Sequence, residues 1–152
     1  MSEGLGAETA AGSAPDDAGD RPGRGLLDTS VFIARESGRS LDDALLPEES
    51  AISAVTVGEL QAGVLAASET DVRARRLATL EALSDIEVLV IDETVAASWA
   101  RLRVHLAEAG RRVNANDLWI AATALTHGIP VVTQDEDFDP VEGVGGLCVV
   151  RV

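Results

Sequence analysis

The stretch Leu26-Leu27-Asp28-Thr29-Ser30-Val31-Phe32-Ile33-Ala34 sets a short apolar run, an acid and a helical segment end to end. Leu26-Leu27 reads as a strand and Ser30 to Ala34 as a helix that stops at Gly38, with Asp28 standing where one gives way to the other. The same alternation runs on to the C-terminus. A short polar helix from Leu41 to Leu46 ends at Pro47, Ala51-Ile52-Ser53 is a small strand, and Val55 to Ala67 reads as a helix. In Asp71 to Leu83, residues Val72, Arg76, Leu77, Leu80 and Leu83 fall near helical spacing, and Ile86 to Ile91 is a strand rich in branched side chains. Asp92 opens a long helix closed by Gly110, and Asn116 to His127 is another, closed by Gly128. Val131-Val132-Thr133 is a strand that ends in an acidic turn, and Leu147 to Val150 is a last strand. Short strands separated by helices predict an α/β fold, a three-layer sandwich whose short, mainly parallel central sheet is flanked by helices.

The 152 residues suffice for one domain with a sizeable core, and 46% apolar with 25% charged residues is the balance of a globular protein. No apolar run reaches the ~18–20 residues of a membrane helix. The start lacks a basic segment followed by an apolar one, so no secretory signal is expected and the expected compartment is the cytoplasm. Residues 1–25 read as a disordered low-complexity tail, because 13 of the 25 are Gly, Ala or Pro, and residues 26–152 as the folded domain. A single cysteine, Cys148, excludes an internal disulfide framework and Cys-rich metal sites; in a terminal apolar strand it is expected to be a small buried residue.

Charge narrows the function further. Twenty-six acids against 12 bases give a net charge of −14, which excludes a nucleic-acid coat protein held by phosphate contacts. Every base is an arginine, and the absence of lysine removes P-loop, Schiff-base and Ser–Lys chemistry together.

Several acids stand where an acid is locally awkward. Asp28 follows the first strand, and Asp135 and Asp137 follow Val131–Thr133, at the strand ends beyond which open α/β sheets bind ligands. Asp117 shares a helix face with Ile120, Ala121, Ala124 and Leu125, so its carboxylate heads an inward-facing stripe; a first-turn capping role is the alternative. Glu59 has Val55, Thr56, Ala62, Gly63 and Ala66 as face neighbours, and close backbone approach would account for Gly58 and Gly63. With no lysine to pair it, a buried Glu59 calls for a cation; a solvent-exposed Glu59 is the alternative. Carboxylates converging without a His or Cys cluster make an oxygen-only site, suited to Mg²⁺ or Mn²⁺ and to in-line attack on a phosphodiester.

Four segments carry a resemblance. Leu27-Asp28-Thr29-Ser30-Val31-Phe32-Ile33, Ser53-Ala54-Val55-Thr56-Val57-Gly58-Glu59-Leu60, Asn116-Asp117-Leu118-Trp119-Ile120-Ala121-Ala122-Thr123-Ala124 and Val132-Thr133-Gln134-Asp135-Glu136-Asp137-Phe138 resemble the four acidic motifs of PIN domains. Their order and spacing look most like the VapC-type toxins of toxin–antitoxin modules, over about Leu26 to Val152. The resemblance implies a PIN-like sandwich and a Mg²⁺- or Mn²⁺-dependent endoribonuclease. It also implies a homodimer, neutralised in a hetero-oligomer by a VapB-like antitoxin that covers the site. Asp28, Glu59 and Asp117 match the core metal-binding acids, and either Asp135 or Asp137 fits as the fourth. Ser30 and Thr133 would be hydroxyls orienting an acid or water, and Asn116 would brace the Asp117 turn.

Seven of the 12 arginines lie between Arg73 and Arg112, and Arg111 and Arg112 are candidates for RNA contact. Acids interleave with these arginines, which favours a salt-bridged solvated face over an RNA-binding rim. Trp99, Trp119 and Phe32 read as packing residues rather than stacking platforms for bases. Two other readings stand beside the nuclease. A phosphatase-like phosphoryl-transfer protein also places an Asp after its first strand, but those families use a lysine. A catalytically inert PIN module would keep the acids and bind its antitoxin or RNA without turnover.

Overall fold

A computed structural model describes residues 21–152. In chain order its elements are β1 (Arg24–Leu27), α1 (Thr29–Glu36), β2 (Glu49–Ser53), α2 (Ala54–Ala66), α3 (Thr70–Glu81), β3 (Glu87–Leu89), α4 (Glu93–Ala109), α5 (Ala115–His127), β4 (Val131–Thr133) and β5 (Val149–Arg151), with short 3-10 turns between several of them. The polar stretch after α1 is one such turn, Asp43–Leu45, rather than a helix over Leu41–Leu46. The strands form one sheet in the order β3-β2-β1-β4-β5, and every pairing is parallel.

Burial on both faces follows from the period-2 alternation of each strand. Leu26, Ala51 and Val131 point to the side covered by α4 and α5, where they join Val95, Leu102, Ile120 and Phe138. Their strand neighbours Leu27, Ile52 and Val132 point the other way, into a second core with Val31, Phe32, Leu60 and Leu83. Two cores with a sheet between them make the three layers expected from the sequence. Trp99 and Trp119 stack at 5.0 Å between ring centroids and pack α4 against α5, as packing residues.

The strand β1 begins earlier than its side chains suggest. Arg24 and Gly25 pair with Glu49 and Ser50, and the amides of Glu48 and Glu49 donate to the carbonyls of Pro22 and Gly23. Residues 22–25, read in sequence as the end of a tail, are therefore ladder residues; residues 1–20 of that tail lie outside the described residues. Gly25 is glycine for a steric reason: a Cβ there would stand 2.8 Å from Val132 Cγ2 and 3.2 Å from the Pro47 ring. At Gly58, by contrast, a Cβ would meet nothing, so close approach does not explain that glycine.

The arginines of the central stretch form none of the ion pairs found among the described residues, which involve Arg24 and Arg151. Arg73 donates to the Ala67 carbonyl at 2.9 Å and Arg76 to the Gly63 carbonyl at 2.7 Å, tying α3 to the last turn of α2 through carbonyls a helix end leaves free. Two of the seven arginines on the expected salt-bridged face are thus helix-end ties, and none of the seven forms an ion pair among the described residues. Cys148 is exposed rather than buried, because it precedes the edge strand β5 instead of lying within the sheet.

Gly25→Ala is expected to destabilise the protein by roughly 1–3 kcal/mol through overpacking. Gly23→Ala, where no atom lies within 4 Å, serves as the control. Urea denaturation of the two variants measures the difference, and equal midpoints would refute the steric account.

Candidate active site

In the strand order, β1 is central, and the chain leaves it towards β2 on one side while β4 flanks it on the other. The crevice between the ends of β1 and β4 is the switch point at which such sheets bind ligands. Asp28 occupies it as the first residue past β1, its amide donating to the Val132 carbonyl of β4 at 2.8 Å. The residue is 3% exposed. The Thr133 hydroxyl, at the end of β4, lies 3.0 Å from Asp28 Oδ2 and supplies a donor to a carboxylate that has lost most of its water.

One pocket of about 220 Å³ at this crevice is lined by Asp28, Glu59, Asp117, Asp135 and Asp137, with Ser30 and Asn114 beside them. All five acids singled out in the sequence therefore meet, from β1, α2, α5 and the loop after β4. Ser30 Oγ is 3.1 Å from Thr133 Oγ1 and accepts the Gln134 amide at 3.0 Å, so it pins the turn that carries Asp135. Asp135 Oδ1 lies 3.2 Å from the Thr133 hydroxyl and accepts the Asp137 amide at 3.1 Å. Asp135 is half-buried and Asp137 exposed, so both remain available to the pocket with different access to water.

Glu59 is held by residues the sequence reading passed over. The Thr29 hydroxyl lies 2.7 Å from Glu59 Oε1 and 3.1 Å from the hydroxyl of the fully buried Thr56. Two hydroxyls in series stiffen a long side chain that would otherwise lose rotamer entropy on being fixed. The available signal was Thr56 three residues before Glu59 on one helix, with Thr29 next to Asp28. The bracing expected of Asn116 falls to Asn114, whose Oδ1 accepts the Asn116 amide at 2.8 Å as the N-cap of α5. Asn116 instead directs its amide towards Glu59 Oε2 at 3.5 Å. Arg111 and Arg112 are exposed in the segment between α4 and α5 and do not line the pocket.

Burial and crowding set the electrostatics. Burial raises the Asp28 carboxyl above its ordinary value, against the lowering effect of the Ser30 and Thr133 bonds. Asp117 is pushed from 3.8 up to about 7, first by desolvation and then by the charges of Asp28, Asp137, Asp135 and Glu59. Asp137 is raised mainly by Asp135. The donor set is all oxygen and carries an unbalanced negative charge, which fits a hard divalent cation. Among the described residues no three His, Cys, Asp or Glu side chains are closed into a ready metal cage. An open bowl of this kind suits an ion that keeps part of its water shell and takes only one or two carboxylates directly, as Mg²⁺ does.

For Asp117 the linkage has a definite sign. Its folded value lies above its unfolded one, so the folded state holds the extra proton between pH 3.8 and about 7. Stability of the metal-free protein is therefore expected to fall as pH rises through that window. Asp117→Asn should remove this slope and raise the metal-free Tm at pH 8, by ~2–4 °C for each kcal/mol relieved. Thermal melts across pH test this, and a variant with an unchanged slope would refute the crowding account.

The family model of the PIN domain matches residues 25–144. The chain is 57% identical over 131 residues to Ribonuclease VapC5 of Mycobacterium tuberculosis, a match covering 86% of this chain and 97% of that protein. It is 49% identical over 115 residues to Ribonuclease VapC4 of the same organism, covering 76% of this chain and 88% of that one. The crystal structure of VapBC-5, a member of the VapBC toxin–antitoxin family from M. tuberculosis, superposes with a TM-score of 0.81 at 54% identity, over 86% of this chain and all of that one. With the four acidic motifs gathered at the β1–β4 crevice, the chain belongs to the PIN-domain family, in its VapC group.

Proposed function

We propose that the protein is a Mg²⁺- or Mn²⁺-dependent endoribonuclease that hydrolyses RNA phosphodiester bonds and acts as the toxin of a toxin–antitoxin pair. The observation that carries this reading is the convergence of Asp28, Glu59, Asp117, Asp135 and Asp137 on one pocket at the sheet's switch point. The similarity to ribonucleases VapC5 and VapC4 supports RNA as the substrate. The similarity to VapBC-5 supports a VapB-like antitoxin as the partner. A toxin homodimer at the centre of a hetero-oligomer with that antitoxin, in the cytoplasm, belongs to the same proposal.

A bound divalent ion would supply Lewis acidity and neutralise charge on the phosphodiester. Asp28 and Asp117 are the acids best placed to hold it, because both are partly desolvated and face the same pocket. Glu59, fixed by Thr29, and Asp135, fixed by Thr133, are positioned to accept hydrogen bonds from an attacking water and orient it for in-line displacement. Ser30 and Thr133 keep that geometry by tying the end of β4 to the start of α1. Asp137, exposed at the rim, is the acid with most freedom to take a proton from solvent and pass it on. Arg111 and Arg112, outside the pocket, serve RNA at longer range, in the loop leading to Asn114.

Two measurements test the proposal. The antitoxin-free protein is expected to cut a structured RNA pool at defined sites with Mg²⁺ or Mn²⁺, and not in EDTA. Asp117→Asn should reduce that rate by about 100-fold or more. Activity that survives both would exclude this mechanism, and no cleavage of any RNA would leave an inert binding module. In a separate melt, saturating Mg²⁺ or Mn²⁺ should raise Tm more at pH 8 than at pH 5.5, because Asp117 must release its proton, held up to about pH 7, to bind. Equal shifts at the two pH values would remove Asp117 from the ligand set.

A further inference from the structure

A groove of about 620 Å³ adjoins the acid pocket and shares Thr29, Ile33 and Glu59 with it. Its volume is that of a site for a nucleotide-sized group. It is also lined by Arg75 and Arg76 of α3 and by Glu36 of α1. No arginine lines the acid pocket itself. Arg75 is exposed and takes part in none of the ion pairs among the described residues. Arg76 spends one N–H on the Gly63 carbonyl at 2.7 Å, which holds its planar fork in place and leaves the other donors free. Ile33, 46% exposed, forms an apolar lip where groove and pocket meet.

The geometry points to this groove as the subsite for the RNA strand beside the scissile bond, with Arg75 and Arg76 binding a backbone phosphate and the Ile33 lip packing against its sugar or base. The inference rests on the ribonuclease reading. A strand that places one phosphodiester among the carboxylates must carry its neighbouring phosphates out of a strongly negative pocket. The arginine-lined groove is a direct continuation of that pocket. A guanidinium fork matches phosphate oxygens with two parallel hydrogen bonds, and the two arginines offset the charges of Glu36 and Glu59, the groove's two acids.

The test uses the full antitoxin-free chain and a labelled single-stranded RNA of mixed sequence. Binding is measured across a salt titration in the non-cleaving Asp117→Asn background with Mg²⁺, and cleavage is measured in the wild-type background. Arg75→Ala is expected to reduce the slope of log K against log salt by about 0.7, the value for one lost phosphate on a single strand, and the double Arg75→Ala/Arg76→Ala variant by about 1.4. In cleavage, Arg75→Ala should raise KM about tenfold with little change in kcat. Arg103→Ala, an exposed arginine of α4 outside the groove, controls for net charge and should leave the slope unchanged. Among the described residues the Arg75 side chain makes no hydrogen bond or ion pair, so its removal costs the described fold no polar contact. Wild-type slopes and KM in both groove variants, with RNA cleavage intact, would overturn the inference and leave the groove to a protein partner. Reduced slopes in a protein that cleaves no RNA would support the RNA subsite while the ribonuclease reading fails.

Discussion

The bond between the Thr133 hydroxyl and Asp28 Oδ2, 3.0 Å long, is the contact on which the site depends. A carboxylate on a residue buried at the end of a central strand is tolerable only if its oxygens find donors. The donor comes from the neighbouring parallel strand, so the pairing of β1 with β4 and the state of Asp28 are one problem. Register fixes it: Leu27 pairs with Val132, which sets Asp28 level with Thr133. A one-residue slip would exchange the faces of Leu26 and Leu27, a swap both cores could accept, but it would carry Thr133 away from Asp28. The space for Gly25 beside Val132 and Pro47 suits this register, and the register in turn guards the chemistry at the strand ends.

The site is also where the fold is least content. Burial, and then the charges of four other carboxylates, push Asp117 up to about 7, while its position in the first turn of α5 offers only the partial charge of a helix N-terminus in return. Hydrogen bonds restrain the arrangement without neutralising it. Thr29 and Thr56 act on Glu59, Thr133 and Ser30 on Asp28 and Asp135, and Asn114 on the turn before Asp117. Each fixes a position and none supplies positive charge. Rigid, like-charged oxygens at the mouth of a sheet are a poor way to stabilise a protein and a good way to hold a cation.

The acids were legible because each broke a local rule. Asp28 interrupts an apolar run, Asp117 heads a stripe of Ile120, Ala121 and Ala124, and Glu59 sits among small residues. The strands β1, β2 and β4 were legible through apolar pairs such as Leu26-Leu27 and Val131-Val132. What escaped was carried by backbone or by residues without a distinctive pattern. Arg24 and Gly25 do not look like strand, because the ladder uses their amides and carbonyls while Val132 and Pro47 fill the space a side chain would need. Thr29 and Thr56 are chemically ordinary and gain meaning only when two helices bring them to Glu59. Arg73 and Arg76 looked like members of a charged surface, and their carbonyl partners on α2 are invisible to any count of opposite charges.

The all-arginine composition gains a reason in this setting. A protein with a net charge of −14 that handles a polyanion has to place its few cations where they count. Arg76 anchors its guanidinium on the Gly63 carbonyl and still presents donors to the groove. A lysine ammonium can also make more than one hydrogen bond, but on a flexible stem and without a fixed plane, so the same tie would not aim its remaining donors. On the proposed reading, directional cations at the border of a pocket that repels phosphate decide which way a strand can lie, and the acids then determine where it is cut.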